Sequence, residues 1–172
     1  MEWRHHVHLA EEARMELRAE IESNLKQLKE HQPEVKKCRQ TIDTSLIVLA
    51  LYQVNQGVSK ERKDQIGFCS RGVELSDTAW KTAQTTGALA YMPYEEAEEY
   101  ASIYQAQSKL NAMEEKPVES GAGFLGLMTK FHKHMGEMSL TAGQASDLAE
   151  ILGQMRMQMA LADTQLQNVI EK

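Results

Sequence analysis

Residues 141–169 read TAGQASDLAEILGQMRMQMALADTQLQNV, and this stretch decides the fold that the sequence predicts. Its apolar residues recur at alternating steps of three and four positions: Ala145, Leu148, Leu152, Met155, Met159, Ala162, Leu166 and Val169. Such spacing places them along one face of a helix about 45 Å long. Thr141 and Gln144 have the spacing of an N-terminal capping box, and Leu140 is placed to pack against Ala145. A helix of this length needs partners of similar length, so we expect an all-α chain.

The composition favours long helices in one domain. The 172 residues are 42% hydrophobic and 26% charged, with only 3 prolines and 10 glycines to interrupt regular elements. We therefore expect residues 1–172 to form a single helical bundle domain with one hydrophobic core. The net charge of −6 disfavours general nucleic-acid binding, because neutralising phosphates requires a basic surface.

No segment of the sequence has the length that a membrane span requires. The longest apolar run, residues 46–52, has 7 residues, whereas a helix needs roughly 18 to cross a bilayer. The first residues also lack the apolar run of a signal peptide. Cys38 and Cys69 match no zinc-binding spacing, so we expect one disulfide if the protein is exported and two buried thiols otherwise.

Two helices are predicted in the first third of the chain. Heptad spacing of apolar residues predicts the first over residues 3–31, and Pro33 marks the turn that follows. The second helix is expected to end near Gln56, where Gly57 acts as a stop signal. Its apolar run at residues 46–51 predicts burial on more than one face.

Further along, irregular and helical stretches alternate. Residues 58–75 are predicted to be an irregular connection. Pro93 starts a helix over residues 94–115, and the glycines in residues 117–126 indicate a second weak region. Heptad spacing resumes over residues 124–138 and leads into the closing helix. The predicted fold is therefore an antiparallel helical bundle of four or more helices, with long first and last helices.

A short helix is predicted in the middle of the chain, capped by Ser76 or Asp77. Ala83 and Gly87 are four residues apart, so their small side chains predict a smooth groove where another backbone can approach closely. Trp80 is expected to close one end of this groove. The helix is therefore a candidate for contact with a ligand or a partner.

Two groups of residues have a familiar order. The first is Glu2-Trp3-Arg4, followed in a charged helix by Leu17-Arg18-Ala19-Glu20-Ile21 and Asn24. The second is Leu75-Ser76-Asp77-Thr78-Ala79-Trp80-Lys81-Thr82-Ala83 with Gly87-Ala88-Leu89, and Tyr104 downstream. This order resembles, loosely from end to end, a family of bacterial single-pass membrane-anchored proteins of unknown function. In that family one transmembrane helix precedes the Glu-Trp-Arg segment, and a soluble helical domain follows it.

The resemblance implies that this chain is the soluble part of a longer protein, with a membrane helix before Trp3. It implies a location at the bacterial inner membrane, with the helical domain in the periplasm. A tryptophan followed by arginine and histidine is also typical of a helix that leaves a bilayer. Because the family has no known activity, the resemblance implies a cellular setting and no site residues.

Histidine and methionine residues are the candidates for metal binding. His5 and His8 share a helical face, but they lack a third ligand, so we interpret them as polar residues beside the membrane. A second group has the imidazole and thioether ligands that suit Cu(I): His132, His134, Met135, Met138, Met155, Met157 and Met159. Because most of these methionines lie on the apolar faces, we interpret them as core residues and predict no metal ligand.

The sequence contains no familiar catalytic motif. Phosphate-binding loops, nucleophile elbows and His-Glu-x-x-His are all absent from the sequence. We therefore predict a non-enzymatic, membrane-tethered module, without a cofactor, that binds a protein partner or assembles with itself. The alternative is a periplasmic sensor or carrier that binds a small ligand or copper, near Trp80 or the methionine and histidine group. A pocket with convergent polar groups would favour the alternative, and an exposed apolar patch would favour the interaction module.

Overall fold

Helices are the only regular elements in the part of the chain that the structure describes. The computed structural model describes residues 2–55, 65–69, 72–131 and 140–170. Its elements are α1 (Glu2–Asn55), α2 (Thr78–Thr85), a 3₁₀ helix (Ala88–Tyr91), α3 (Tyr94–Phe131) and α4 (Ala142–Ile170). The predicted all-α class is confirmed for these residues. None of these helices has an apolar stretch long enough to cross a membrane.

Helix α1 is continuous over 54 residues and contains Pro33, so the predicted turn at this proline is wrong. Proline removes the backbone hydrogen bond to the carbonyl of Lys29, and it disfavours a helix interior by about 3 kcal/mol. Leu28 and Val35, on either side of it, are both buried. Burying a side chain of this kind contributes about 1.5–3 kcal/mol. The helix continues because its apolar face is buried before and after the proline.

Helix α3 continues through residues 117–126, where the sequence predicts a weak region. A Cβ atom added at Gly121 would lie 2.7 Å from the ring of Phe68, so a larger residue would displace that ring. The Phe68 ring also packs against Phe124, with ring centroids 5.4 Å apart. Gly121 therefore leaves room for the ring of Phe68 to pack directly against the backbone of α3, and it does not end the helix.

Helix α4 begins as predicted. The Thr141 N–H donates to Gln144 Oε1 at 2.9 Å, and the Gln144 N–H donates to Thr141 Oγ1 at 3.2 Å. These two bonds form the capping box. Leu140 and Ala145 are buried in one apolar cluster, and the predicted face is buried from Ala145 to Leu166.

The chain divides into two compact units. Unit 1 comprises Met1–His31, Val73–Asn111 and Gln165–Lys172, and unit 2 comprises Gln32–Gly72 and Ala112–Thr164. Helices α1, α3 and α4 each contribute residues to both units. The single domain expected from the sequence stays a prediction.

Each unit has its own apolar core. The core of unit 1 contains Ala10, Leu17, Ala83, Ala88, Met92, Tyr100 and Tyr104. The core of unit 2 contains Val35, Cys38, Ile42, Val48, Leu49, Tyr52, Ile66, Phe124, Leu140, Ala145, Leu148, Leu152, Met155 and Met159. Helix α1 contributes six residues to the second core and α4 contributes five, most of them aliphatic, whereas small residues and tyrosines make up much of the first.

A short segment of unit 2, residues 65–69, is fixed to α1. Cys69 forms a disulfide with Cys38, with the Cα atoms 5.0 Å apart. The buried hydroxyl of Ser45 accepts a hydrogen bond from the Gly67 N–H at 2.9 Å and lies 2.7 Å from the Gly67 carbonyl oxygen. Of the two alternatives for the cysteines, the structure therefore has the disulfide.

The apolar run at residues 46–51 is buried on one side only, so the predicted burial on more than one face is wrong. Val48 and Leu49 are buried, whereas Ile47 is 64% exposed and Val54, seven residues on, is 78% exposed. Leu51 between them is half-buried. These three residues form an apolar stripe, the α1 stripe, whose two ends, Ile47 and Val54, are exposed.

A candidate ligand groove between α1 and α2

Unit 1 contains a groove of about 660 Å³ between α1 and α2. Helix α1 lines it with Leu9, Glu12, Ala13, Glu16, Ala19, Glu20, Ser23 and Asn24. Helix α2 and the residues beside it contribute Ser76, Thr78, Ala79, Thr82, Ala83 and Thr86. The spacing on both helices follows the helical repeat, so one continuous face of each forms a wall. The volume lies within the usual range for small-molecule sites, roughly 300–1,000 Å³.

The charges that line the groove are all negative. Its three charged residues are Glu12, Glu16 and Glu20, and no lysine, arginine or histidine is among the lining residues. The carboxylates of Glu12 and Glu16 have no hydrogen bond or ion pair within the described part of the chain. Threonine hydroxyls supply further acceptor oxygens on the α2 wall. The groove therefore offers mainly hydrogen-bond acceptors in a negative potential.

The arginines of the same stretch of α1 bind to α3 instead. Arg14 Nε donates to both carboxylate oxygens of Glu96, at 2.8 and 3.0 Å. Arg18 Nε donates to the hydroxyl of Tyr100 at 3.3 Å. Positive charge on this part of α1 is therefore paired away from the groove.

The Glu20 carboxylate stabilises the first turn of α2. It accepts hydrogen bonds from Ser76 Oγ at 2.5 Å, from the Ala79 backbone N–H at 3.1 Å and from the Tyr104 hydroxyl at 2.8 Å. Burial raises the pKa of Glu20, but these hydrogen bonds outweigh it and hold the pKa below its ordinary value. Burial, together with the hydrogen bond to Glu20 and its charge, raises the pKa of the Tyr104 hydroxyl. Near neutral pH, Glu20 is therefore ionised and Tyr104 is neutral.

Buried amides hold the residues that precede α2. Asn24 Nδ2 donates to the Ser76 carbonyl at 2.8 Å and to Gln107 Oε1 at 3.2 Å, and Asn24 Oδ1 accepts from the Ser76 N–H at 3.1 Å. Asn111 makes the same pair of bonds to the backbone of Leu75, both at 3.1 Å. These side-chain amides satisfy backbone N–H and carbonyl groups that regular secondary structure would otherwise pair.

Of the three residues that the sequence assigns to a groove on α2, only Ala83 lines the observed one, which is an open cavity and not a site of close backbone approach. Ala83 lines the groove, whereas Trp80 stacks on Tyr104 with ring centroids 5.2 Å apart and does not line it. Gly87 has a backbone φ of +72°, and a Cβ added there would meet nothing within 4 Å. The turn after α2 therefore explains Gly87, because it needs a residue in the left-handed region of backbone conformation. No neighbouring atom is close enough to require a glycine here.

The metal candidates divide between core, surface and undescribed positions. Met155 and Met159 are buried in the core of unit 2, as predicted, and Met157 is 61% exposed. His5 and His8 are exposed. His132, His134, Met135 and Met138 lie outside the described residues. Among described residues, no three His, Cys, Asp or Glu side chains come together in a way that could hold a metal ion.

The sequence reasoning missed the roles of Glu20, Asn24 and Tyr104. These three residues and Ser76 belong to the family resemblance, and the structure brings the four into one hydrogen-bond network. One signal was available, because Asn24 falls on the apolar seam of α1, where a polar side chain needs buried partners. Its partners come from distant parts of the chain, so the sequence could not name them.

Comparison of the chain with protein-family models, with curated proteins and with solved structures finds no significant match. The resemblance to membrane-anchored bacterial proteins therefore stays a prediction.

Proposed function

We propose that this chain is a non-enzymatic helical domain that binds a small ligand in the groove between α1 and α2. The groove itself carries the proposal: it combines a volume of about 660 Å³ with three carboxylates and three threonines that converge on it. The polar residues at its Glu20 end are already held in place by hydrogen bonds. A site whose walls are rigid before binding loses less entropy when its ligand arrives.

The chemistry of the groove favours binding over catalysis. Glu20 has a lowered pKa and accepts three hydrogen bonds, so it is a weak base and a poor proton donor near neutral pH. Both cysteines of the chain are joined in the disulfide, so neither is a free nucleophile. The polar groups in the groove therefore support recognition of a ligand.

We propose an exported, membrane-tethered setting for this domain. Disulfides persist in oxidising compartments, and Cys38 and Cys69 are joined. The family resemblance adds a membrane helix before Trp3 and a periplasmic location. For the arrangement of the helices we propose an antiparallel bundle whose first and last helices, α1 and α4, have 54 and 29 residues. Helix α3, with 38 residues, is longer than α4.

The test is to fill the groove without disturbing the core. Thr82 is exposed and lines the groove, so Thr82→Phe places a ring in it. Thr85 is exposed on the same helix and does not line the groove, so Thr85→Phe is the matched control. A thermal-shift panel of metabolites of different charge should contain ligands that stabilise the wild type and Thr85→Phe by several degrees, but not Thr82→Phe. If every stabilising ligand acts equally on both variants, the groove is not the binding site.

Self-association is the second candidate function, and the exposed α1 stripe favours it. Ile47, Leu51 and Val54 follow the i, i+4, i+7 spacing of a helix face that packs on another helix. Light scattering after gel filtration tests this, with Ile47→Lys and Val54→Lys together against an exposed polar control, Gln53→Lys. A wild-type dimer that only the first variant makes monomeric would support assembly. A wild-type monomer at all concentrations would exclude it.

A further inference from the structure

We infer that Cys69 is a site of thiol–disulfide exchange, where an external dithiol opens the bond to Cys38 and releases the segment that this bond holds. The segment consists of residues 65–69 and is called the strap. The inference concerns unit 2 and goes beyond the ligand groove of unit 1. Three observations lead to it: the unequal burial of the two cysteines, the few hydrogen bonds that hold the strap, and a glycine of α3 that leaves room for it.

The two cysteines of the disulfide differ in their access to solvent. Cys38 lies on α1 in the core of unit 2 and is 1% exposed. Cys69 is only partly buried and packs against that core. The course of thiol–disulfide exchange depends on which sulfur an attacking thiolate can reach. The folded chain therefore directs the attack to the sulfur of Cys69, and Cys38 is the leaving group.

The exchange uses a dithiol as the reductant and has two steps. In the first step, one thiolate of the dithiol attacks Cys69 Sγ, the bond to Cys38 Sγ breaks, and the Cys38 thiolate takes a proton from water. In the second step, the other thiolate of the dithiol attacks the dithiol sulfur that is bound to Cys69, and Cys69 leaves as a thiolate that is protonated in turn. The dithiol becomes a disulfide and gives up two electrons, which reduce the Cys38–Cys69 bond to two thiols.

Within the described part of the chain, one hydroxyl group provides the hydrogen bonds that hold the strap to α1. Ser45 Oγ accepts a hydrogen bond from the Gly67 N–H at 2.9 Å. The same oxygen lies within 3.2 Å of three carbonyl oxygens, those of Thr41, Gln65 and Gly67. A hydroxyl has one proton, so it donates to only one of these carbonyls at a time. Ser45 therefore makes at most two hydrogen bonds to the strap.

Two side chains of the strap add apolar contacts. Ile66 is buried in the core of unit 2, and Phe68 packs against that core. A Cβ atom added at Gly121 would lie 2.7 Å from the Phe68 ring, so this ring rests on the backbone of α3. These contacts and hydrogen bonds oppose the loss of backbone entropy in each ordered residue of the strap. We expect them to be insufficient without the disulfide, so that reduction releases the strap and uncovers Phe124, which is 2% exposed.

The first experiment maps the site of attack in the folded, oxidised chain. Glutathione, a monothiol, is added under native conditions, N-ethylmaleimide caps all free thiols, and mass spectrometry locates the bound glutathione. We expect at least about tenfold more glutathione on Cys69 than on Cys38. The same reaction in urea is the control and should give equal adducts, because neither cysteine is buried in the unfolded chain. Equal adducts in the folded chain, or glutathione mainly on Cys38, would overturn the inference.

The second experiment measures release of the strap by hydrogen exchange in dithiothreitol, a small dithiol. The Gly67 amide should lose its protection on reduction, whereas the amides of Leu148 and Leu152 in α4 should stay protected because the core of unit 2 remains folded. A Gly67 amide that stays protected in the reduced chain would make the disulfide a structural crosslink only. Loss of protection in α4 as well would mean that reduction unfolds unit 2. Either result would overturn the inference.

Two glycine variants on α3 test the packing of the strap. Gly121→Ala adds a Cβ atom that displaces the Phe68 ring, so dithiothreitol should reduce the disulfide several-fold faster than in the wild type. Gly126→Ala is the matched control, because a Cβ atom there would meet nothing within 4 Å. Its disulfide should be reduced within about twofold of the wild-type rate, as expected for a substitution on an exposed surface. Equal rates in the two variants would contradict the role of the strap and overturn the inference.

Discussion

The two units of this chain fasten irregular backbone to α1 by different means. In unit 1, residues 75–76 are held by hydrogen bonds from side chains, chiefly those of Glu20, Asn24 and Asn111. In unit 2, residues 65–69 are held by the disulfide from Cys38 and by the hydroxyl of Ser45. Hydrogen-bond networks are directional and polar, so they can shape a site, whereas a disulfide mainly restricts the unfolded chain. This difference suits a ligand groove in unit 1 and a stabilising core in unit 2.

The units also differ in charge and core composition. Unit 1 carries the whole net charge of −6, whereas acidic and basic residues balance in unit 2. The core of unit 2 is built from large side chains of α1 and α4, and Ile42, Leu49, Leu148, Leu152 and Met155 among them are fully buried. Close packing stabilises such apolar side chains without hydrogen-bond partners. Four predictions test this contrast, beginning with the one that has the largest expected effect.

Removing the disulfide should cause the largest loss of stability. Its two cysteines are 31 residues apart, and closing a loop of that length stabilises the folded state by about 4 kcal/mol. Cys38→Ser with Cys69→Ser should therefore lower the free energy of unfolding in urea by about that amount. Wild-type protein in reductant is the control and should lose the same stability. Ligand binding in the groove of unit 1 should persist in the folded fraction of the variant; its complete loss would show that the contrast between the units is wrong.

Neutralising Glu20 should have the next largest effect. Glu20→Gln keeps the size of the side chain but replaces a carboxylate that accepts three hydrogen bonds. Since hydrogen bonds to charged groups contribute about 1.5–3 kcal/mol each and the amide keeps part of them, we expect a loss of about 2 kcal/mol in urea unfolding. Glu22→Gln, on an exposed position of the same helix, should change stability by less than about 0.5 kcal/mol. Equal effects of the two substitutions would contradict the role given to the network.

The stabilisation from Glu20 should also depend on pH. Because the pKa of Glu20 is lowered in the folded state, the unfolded chain binds its proton first as the pH falls. The contribution is therefore fully present above the ordinary glutamate pKa of 4.5 and is lost as the pH falls through the lower folded-state pKa. Urea unfolding of wild type and Glu20→Gln from pH 7 to pH 3 should show their difference in stability shrinking below about pH 4.5. A difference that stays constant over this range would mean that the charge of Glu20 is not what stabilises unit 1.

Removing the Tyr104 hydroxyl should have the smallest effect of the four. Tyr104→Phe keeps the ring that stacks on Trp80 and deletes one donor to Glu20. We expect a loss of about 1 kcal/mol, measured by urea unfolding, since one hydrogen bond is lost and the others remain. In combination with Glu20→Gln, the two losses should be less than additive, because one substitution weakens and the other removes the same hydrogen bond. Full additivity would contradict a direct coupling between these residues.

Some features of the candidate site could be predicted from the sequence and others could not. Ala83 lines the groove, as expected from its small side chain, but the predicted close approach of another backbone is replaced by an open cavity. The α1 wall could not be predicted, because it depends on which face of α1 lies beside α2. Trp80 is predicted to close one end of the groove, but it stacks on the ring of Tyr104 instead.

The sequence by itself determined the all-α class, the buried face of α4 and its capping box. These features depend on residues within a turn or two of each other, so local periodicity and hydrogen bonding are sufficient. Only the tertiary structure decided that α1 passes through Pro33, that Cys38 and Cys69 are joined, and that Glu20 meets Tyr104, which is 84 residues away. Each of these depends on burial or on partners distant in the chain, and their free energies outweigh the local preferences that sequence patterns report.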